Sequence, residues 1–374
     1  MNNLHEKTYP YISIIILAAG LSKRMGAFKP LLPVGGEPAI LRCINTASEA
    51  GVRDIVVVTG RDPGAIESTV GNTNMNVRLV HNNMFRKGML SSVQAGVSAI
   101  RGDSRAFFIL PSDCCASTCE TFIMLLQNFD EDRGASVIRP SFNGKRGHPP
   151  LIPARYAKSL NEYDGNDGLK GFLRPLPTLE VEMTDQGALL DMDTPEDYAQ
   201  MLEYLGLPVY PDKERCAELM KEYCVPEDIV SHGEQVAELA LSIARQLEDC
   251  GIFLNTGLLE SACLLHDIMR AKTHHAREGM ELLLQAGYPG AAILVGSHMD
   301  LSDGVCGDIG EKELLFLADK LCRKGRIVDL EDTEQGISRM YAPDSEAYVN
   351  AMSRMAAARE IREILRDKYK VETH

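Results

Sequence analysis

Ile12-Ser13-Ile14-Ile15-Ile16-Leu17-Ala18-Ala19-Gly20-Leu21-Ser22-Lys23-Arg24-Met25-Gly26, with Lys29-Pro30-Leu31-Leu32 just beyond it, sets the architecture of the N-terminal half. Its apolar part, Ile12 to Gly20, falls far short of the roughly 20 residues that span a bilayer, and polar segments bracket it. It reads as a buried strand that runs straight into a turn of small residues. Such a turn lets backbone N–H groups approach a triphosphate closely, and Arg24 and Lys29 supply positive charge for it. The GK[ST] step of a Walker A loop is missing after Gly20. Glycine in a βα turn also serves simply to reach positive φ, so the turn alone leaves a structural role open. The spacing of Arg24 and Lys29 shifts the balance towards phosphate.

Outward from this strand, further β-rich runs at Ile55–Thr59, Val77–His81, Ala106–Leu110 and Ala135–Arg139 alternate with amphipathic helical stretches such as Ala39–Gly51. The alternation predicts a Rossmann-like α/β domain, a mostly parallel sheet with helices on both faces, whose ligands bind beyond the carboxyl ends of the strands. After the helical pattern Pro195–Leu205, the segment Gly206-Leu207-Pro208-Val209-Tyr210-Pro211 breaks the periodicity and the β-rich runs stop. The domains are expected to be residues 1–206 and 207–374. From Cys216 onward, Glu234–Leu247, Thr256–Leu265, Ala276–Gln285, Gly290–His298 and Lys312–Lys324 carry apolar residues three and four apart, with a closing helix over Ser345–His374. An all-α bundle is predicted.

Composition bounds the function. The chain has 374 residues, 45% hydrophobic and 25% charged, enough for two ordinary cores. A formal net charge of −14 argues against nucleic-acid or anionic-membrane partners, which need a broad basic surface, while leaving room for small anionic substrates. The ten cysteines show no paired CxxC spacing and follow no secretory signal, so they read as reduced thiols of a cytoplasmic enzyme.

The signature Leu17-Ala18-Ala19-Gly20-x-Ser22-x-Arg24-Met25-Gly26-x-x-Lys29 resembles the molybdenum-cofactor nucleotidyltransferases (MobA-like NTP transferases), within the wider superfamily that includes sugar-nucleotide pyrophosphorylases. The resemblance continues through Asn82–Val93, Arg146-Gly147-His148-Pro149-Pro150-Leu151, Gly168-Leu169-Lys170-Gly171 and Asp191-Met192-Asp193-Thr194-Pro195-Glu196-Asp197. It implies that Asp113 and Asp193 hold Mg²⁺ between them, bridging the phosphates of an NTP and of a molybdopterin-type acceptor, with Arg24 and Lys29 neutralising charge. It implies nucleotide contacts at Leu17, Ala18, Ala19, Gly20, Ser91 and Ser92, and His148 near the acceptor. Ala-Ala-Gly accompanies CTP enzymes in this family and Ala-Gly-Gly guanylyl-transferring relatives; here the residues are Ala18-Ala19-Gly20. A molybdenum hydroxylase apoenzyme or its maturation factor is the implied protein partner. Read on residue type alone, Asp113 also suits a strand-end cap and Asp193 a helix N-cap before Thr194-Pro195, with Asp191 a weaker ligand candidate. His148 equally suits a packed loop residue. One departure stands out: the family commonly has a Met/Gln-Pro step after the metal Asp, where this chain has Cys114-Cys115, with Cys119 nearby. These thiols suit soft ligands or, more often, small buried residues.

In the C-terminal half, His232, the pair His266-Asp267 at the end of an apolar run, and Asp319 in Leu317-Ala318-Asp319-Lys320 are types that converge on a divalent transition metal in a bundle core. A buried His-Asp pair without partner or metal would cost several kcal/mol. The order His…His-Asp…Asp resembles the HD-domain metal-dependent phosphohydrolases, and the match extends to His275, with His274 as its rival, and to His298. The resemblance implies one or two ions, Fe or Mn, with Asp267 bridging when there are two. A degenerate bundle that only binds metal or nucleotide is the bland alternative. The leading reading is a bifunctional enzyme, cytidylyl transfer in front and phosphoester hydrolysis behind. Sugar or polyol-phosphate acceptors, GTP in place of CTP, and a cofactor-handling protein without turnover are the other readings.

Overall fold

The computed structural model describes residues 8–73, 75–165, 167–301, 304–305, 307–323 and 325–373. Ile14, Ile15 and Ile16 are wholly buried, which is possible only for a strand covered on both faces. That strand, β1 (Tyr9–Ala18), lies at the middle of an eight-stranded sheet. The other strands are β2 (Val52–Thr59), β3 (Val77–His81), β4 (Ala106–Pro111), β5 (Val137–Phe142), β6 (Lys145–Arg146), β7 (Leu151–Pro153) and β8 (Thr178–Glu182). The order is β8-β5-β7-β4-β1-β2-β3, with β6 pairing on β5. All pairings are parallel except those of β6 and β7, so the expected mostly parallel sheet is present. The run expected at Ala135–Arg139 starts two residues later, because Gly134 and Ala135 still close the turn after the preceding helix through bonds to Phe129 and Asp132.

The helices of this unit include α1 (Ala39–Glu49), α2 (Pro63–Gly71), α3 (Met89–Val97), α4 (Cys119–Glu131) and α5 (Pro195–Tyr204). α3 packs on β1 and β2 through Val93 and Val97. Its Gly96 sits so close to the sheet that a Cβ there would collide with the Ile15 side chain and meet Val58 Cγ2 at 3.0 Å.

The chain divides into two compact units, residues 1–207 and 208–374. The second is helical: α6 (Lys213–Glu222), α7 (Glu227–Asp249), α8 (Thr256–Leu265), α9 (His275–Gln285), α10 (Pro289–Ser297), α11 (Glu311–Leu321), α12 (Leu330–Met340) and α13 (Glu346–Tyr369). Val236, Leu239, Ile243 and Leu247 of α7 repeat at helical spacing and bury against Leu259 and Cys263 of α8, Leu314, Leu317 and Leu321 of α11, and Ile361 and Leu365 of α13. The helix expected over Lys312–Lys324 stops at Leu321; Cys322–Arg323 pairs instead with Arg326–Ile327 in a small hairpin. Lys324 and His374, the last residues of two expected helices, lie outside the described residues, as do residues 1–7 of the expected first domain. Among the described residues no helix is long and apolar enough to cross a membrane.

Gly96→Val should destabilise the α/β unit by about 1–3 kcal/mol through overpacking. Gly71→Ala, at the end of α2 with nothing within 4 Å of its Cβ position, should change little. Urea unfolding followed by circular dichroism tests this; equal midpoints would remove the claimed close packing.

Candidate functional site

The carboxyl ends of β1, β2 and β4 are level, since Leu17 pairs with both Val58 and Pro111. The segments leaving these strands, Ala19-Gly20 and Ser112-Asp113 among them, therefore open at one sheet edge. There the Lys29 ammonium lies 3.0 Å from Asp113 Oδ2 and 2.5 Å from Asp193 Oδ1, while Arg24 Nη2 reaches Asp193 Oδ2 at 2.5 Å. Burial opposes the charge on Lys29, yet the hydrogen bond to Asp193 and the charge of Asp113 outweigh it and raise its pKa. The same hydrogen bond lowers the pKa of Asp193 against its partial burial. Asp191 goes the other way: burial, then the charges of Asp193 and Asp113, push its carboxyl up.

The capping alternatives resolve in favour of free carboxylates. Thr194, not Asp193, caps α5: its hydroxyl accepts from Asp197 N–H, and Asp197 accepts from Thr194 N–H, with Pro195 in the first turn. This box fixes the backbone next to Asp193 and leaves its side chain to face Lys29. The Asp113 side chain likewise accepts from Lys29, while its backbone carbonyl accepts from Met192 N–H.

Beside Lys29 and Asp113 lies a cavity of about 310 Å³ lined by Leu17, Ala19, Gly20 and Ser92 among others. Ala18 is buried at the end of β1, and Arg24 stands at the surface. The Ser91 and Ser92 hydroxyls are both held by Asn82 Nδ2, at 3.0 and 2.9 Å, and Ser91 donates to Met84 and Gly88 carbonyls. Their local part is to shape the loop before α3; of the two, only Ser92 lines the cavity. His148 precedes a cis proline, and its Nδ1 is buried without a hydrogen-bond partner. Burial, then the charge of Arg139, lowers its pKa, opposed by Asp113. Two of the three thiols follow the small-residue reading, while Cys119 is only half-buried at the start of α4. Cys114 and Cys115 are buried and burial pushes both thiols up, Cys115 to about 12, while among the described residues no cysteine joins a three-ligand group.

In the helical unit the expected ligands meet. His232 comes from α7, His266-Asp267 from the end of α8, His275 from the start of α9, His298 from the end of α10 and Asp319 from α11. Five of these six form two groups that share Asp267: His232, His266 and Asp267, and Asp267, His275 and His298, each with donor atoms within 4.8 Å of one another. His232 Nε2 and His266 Nε2 lie 3.1 and 3.4 Å from Asp319 Oδ1; His275 Nε2 and His298 Nε2 lie 3.3 and 3.7 Å from Asp267 Oδ1. His275 is the histidine that faces the group, while His274 is an exposed N-cap. The Nδ1 atoms of His266 and His298 face the carbonyls of Cys263 and Val295 at 2.8 and 2.6 Å. That pairing fixes the Nδ1–H tautomer and leaves Nε2 as a lone-pair donor. Both Nε2 atoms are buried and without a hydrogen-bond partner, the condition of a nitrogen reserved for a metal. The donor set of imidazoles and carboxylates fits a transition metal.

Gly233 makes the convergence possible, because a Cβ there would lie 2.8 Å from the Leu264 carbonyl at the end of α8. Sequence reading missed two cations at this centre. Arg270 Nη1 lies 3.4 Å from both Asp267 Oδ1 and His275 Nε2, and Lys320 Nζ lies 2.6 Å from Asp319 Oδ2. Their adjacency to the ligands, three residues after Asp267 and one after Asp319, was the available signal. A cavity of about 890 Å³ opens over His232, Asp267 and Asp319, walled by Arg270, Lys320, Arg354 and Tyr341 among others.

Comparison with known proteins agrees with this division. Residues 14–181 match the MobA-like NTP transferase domain and residues 229–333 the HD domain. The chain is 29% identical over 187 residues to the molybdenum cofactor cytidylyltransferase of Escherichia coli K12, covering 50% of this chain and 93% of the relative. It is 26% identical over 212 residues to the 2-C-methyl-D-erythritol 4-phosphate cytidylyltransferase of Symbiobacterium thermophilum, covering 53% of this chain and 82% of the relative. A nucleotidyl transferase structure from Methanothermobacter thermautotroptrophicus aligns with TM-score 0.45 and 24% identity over 52% of this chain and 98% of its own.

Elemental analysis of the purified chain should find about two divalent transition-metal ions, one per ligand group. Asp267→Ala should lose both, and His275→Ala only one. Retention of both ions by Asp267→Ala would show that the shared carboxylate is no bridge.

Proposed function

We propose that this chain, which carries a MobA-like NTP transferase domain and an HD domain, is a bifunctional cytosolic enzyme. The first domain transfers CMP from CTP to the phosphate of a molybdopterin-type acceptor, and the second hydrolyses a phosphoester. The observation that carries the first part is Lys29 held between Asp113 and Asp193 at the mouth of the cavity behind the Leu17–Gly20 turn. Both curated relatives above are named cytidylyltransferases, which supports CTP.

In this reading Asp113 and Asp193 would hold Mg²⁺, which would supply positive charge against the substrate phosphates. The small residues at Ala19 and Gly20 let the triphosphate approach the backbone, and Lys29 and Arg24 offset its negative charge. An acceptor phosphate oxygen then attacks the α-phosphorus; the new P–O bond forms as the bond to the bridging oxygen breaks, and pyrophosphate leaves. Positioning and charge neutralisation suffice, without a protein nucleophile. A molybdenum hydroxylase apoenzyme or its maturation factor is the fitting recipient of the product. A polyol-phosphate acceptor is the second reading, favoured by the relative named for methylerythritol phosphate.

Behind, the histidines and carboxylates of the helical unit would hold Mn²⁺ or Fe, which lowers the pKa of a bound water when present. Arg270 and Lys320 stand where a phosphate would need positive charge.

Wild-type protein with Mg²⁺ should release pyrophosphate from CTP in preference to GTP, ATP and UTP when molybdenum cofactor is added. Asp113→Ala and Asp193→Ala should each lower the rate by about 100-fold or more. Release only with methylerythritol phosphate would move the acceptor to the second reading, and silence with every NTP would sink the transferase. Separately, hydrolysis of bis(p-nitrophenyl) phosphate should depend on added Mn²⁺ and vanish in His266→Ala; rates unmoved by EDTA would refute the metal-dependent hydrolase.

A further inference from the structure

The apolar stripe of α12 leaves the core before the helix ends. Leu330, Thr333, Ile337, Met340 and Tyr341 recur at helical spacing, so they share one side of the helix and of the turn that follows it. Leu330 and Thr333 are buried, and Ile337 is half-buried against the same core as Leu330. Met340 is 66% exposed and Tyr341 39%. Glu331 and Glu334 pair with Arg359 and Arg362 of α13, which ties the two helices together and fixes where this stripe points.

It points into the cavity of about 890 Å³ over His232, Asp267 and Asp319: Ile337, Met340 and Tyr341 line that cavity together with Met299 and Met355. The cavity therefore joins a charged centre to an apolar wall. Cavities of this size enclose an organic ligand of drug size rather than a bare phosphate, and an exposed apolar wall rimmed by polar groups marks where such a ligand rests. The residue types say what rests there. Methionine thioethers are flexible and polarisable and favour the edge of an aromatic ring, and Tyr341 offers a ring of its own. Arg354 also lines the cavity, with its guanidinium already holding Asp300 at 2.8 and 3.2 Å, so it adds a flat surface for stacking rather than a free charge for a second anion. Met340, Tyr341, Arg354 and Met355 all follow residue 333, so this part of the wall comes from outside the segment that matches the HD domain.

We propose that the end of α12, the turn after it and α13 form a ring-binding subsite, which seats a planar aromatic group of the phosphoester while its phosphate meets the histidine–carboxylate centre, and that Tyr341 sets this preference. The proposal rests on the hydrolase reading above and deepens it. Phosphoesters that carry a planar ring are then bound in preference to those of small aliphatic alcohols, because only the ring covers the wall that the end of α12 leaves open.

The test uses the full chain with Mn²⁺, and 2-naphthylphosphonate and methylphosphonate as probes; the P–C bond resists hydrolysis, and the two differ only in the group on phosphorus. Asp113→Ala serves as background, to weaken phosphonate binding at the α/β unit. Titration calorimetry should show the naphthyl probe binding about tenfold more tightly than the methyl probe. Tyr341→Ala should remove most of that difference while methylphosphonate affinity and manganese content hold, and Tyr341→Phe, which keeps the ring, should preserve it. Equal affinity for the two probes overturns the subsite, as does a preference that survives Tyr341→Ala. An equal loss for both probes in Tyr341→Ala is the mark of a structural role and overturns it too. Both probes should weaken in His266→Ala; naphthyl binding untouched by that change would place the ring away from the centre and overturn the proposal. Should the preference depend on Tyr341 while bis(p-nitrophenyl) phosphate is not hydrolysed, the hydrolase reading fails and the subsite stands.

Discussion

Carboxylates from distant parts of a chain repel one another, and they share a site in a poorly solvated place only when a cation sits among them. Both units of this protein are organised around that constraint. In the α/β unit the cation is Lys29, which draws Asp113, at the end of one strand, and Asp193, at the start of a helix, to one point. In the helical unit Asp319 is half-buried, and although burial opposes its charge, Lys320 and His232 hold its pKa well below the ordinary value. Everything else in the two sites positions these charges: the capping box at Thr194, the level strand ends, the close approach at Gly233.

The architecture was legible where a physical pattern repeats along the chain. An unbroken apolar run such as Ile14-Ile15-Ile16 can only be an interior strand, and apolar residues at helical spacing in Val236–Leu247 can only bury one stripe of a helix. Element ends were less legible, because they depend on which local bond wins. The last helix turn expected before Lys324 gives way to a hairpin at Cys322, and Asp193 yields the cap to Thr194, whose box with Asp197 satisfies two backbone donors at once. The ligand set of the helical unit could be read because its residue types are unusual in a core. The choice of His275 over His274 needed the structure, since a one-residue step turns the ring by about 100° around a helix start.

What the sequence hid were the residues whose meaning lies in who their neighbours are. Arg270 and Lys320 look like solvated cations until they are found beside Asp267 and Asp319. Ser91 and Ser92 look like free hydroxyls in the sequence until both are found engaged by Asn82, and Ser91 by two loop carbonyls as well. Pairing is a property of the folded surface, and no periodicity along the chain encodes it.

The two charge clusters also differ in kind, and the difference bears on how one chain could run two metal-dependent reactions. The α/β unit offers only carboxylate oxygens to an ion, with an ammonium already sharing their charge, which suits a hard cation that keeps its waters and is held largely through substrate phosphates. The helical unit offers imidazole nitrogens whose tautomers are fixed by backbone carbonyls, a set that binds first-row transition metals far more strongly than Mg²⁺. Abundant Mg²⁺ would therefore compete poorly at the histidines, and a scarce transition metal captured there would not be drawn to the two aspartates. Ligand chemistry alone would thus keep two such ions from exchanging sites within a single polypeptide.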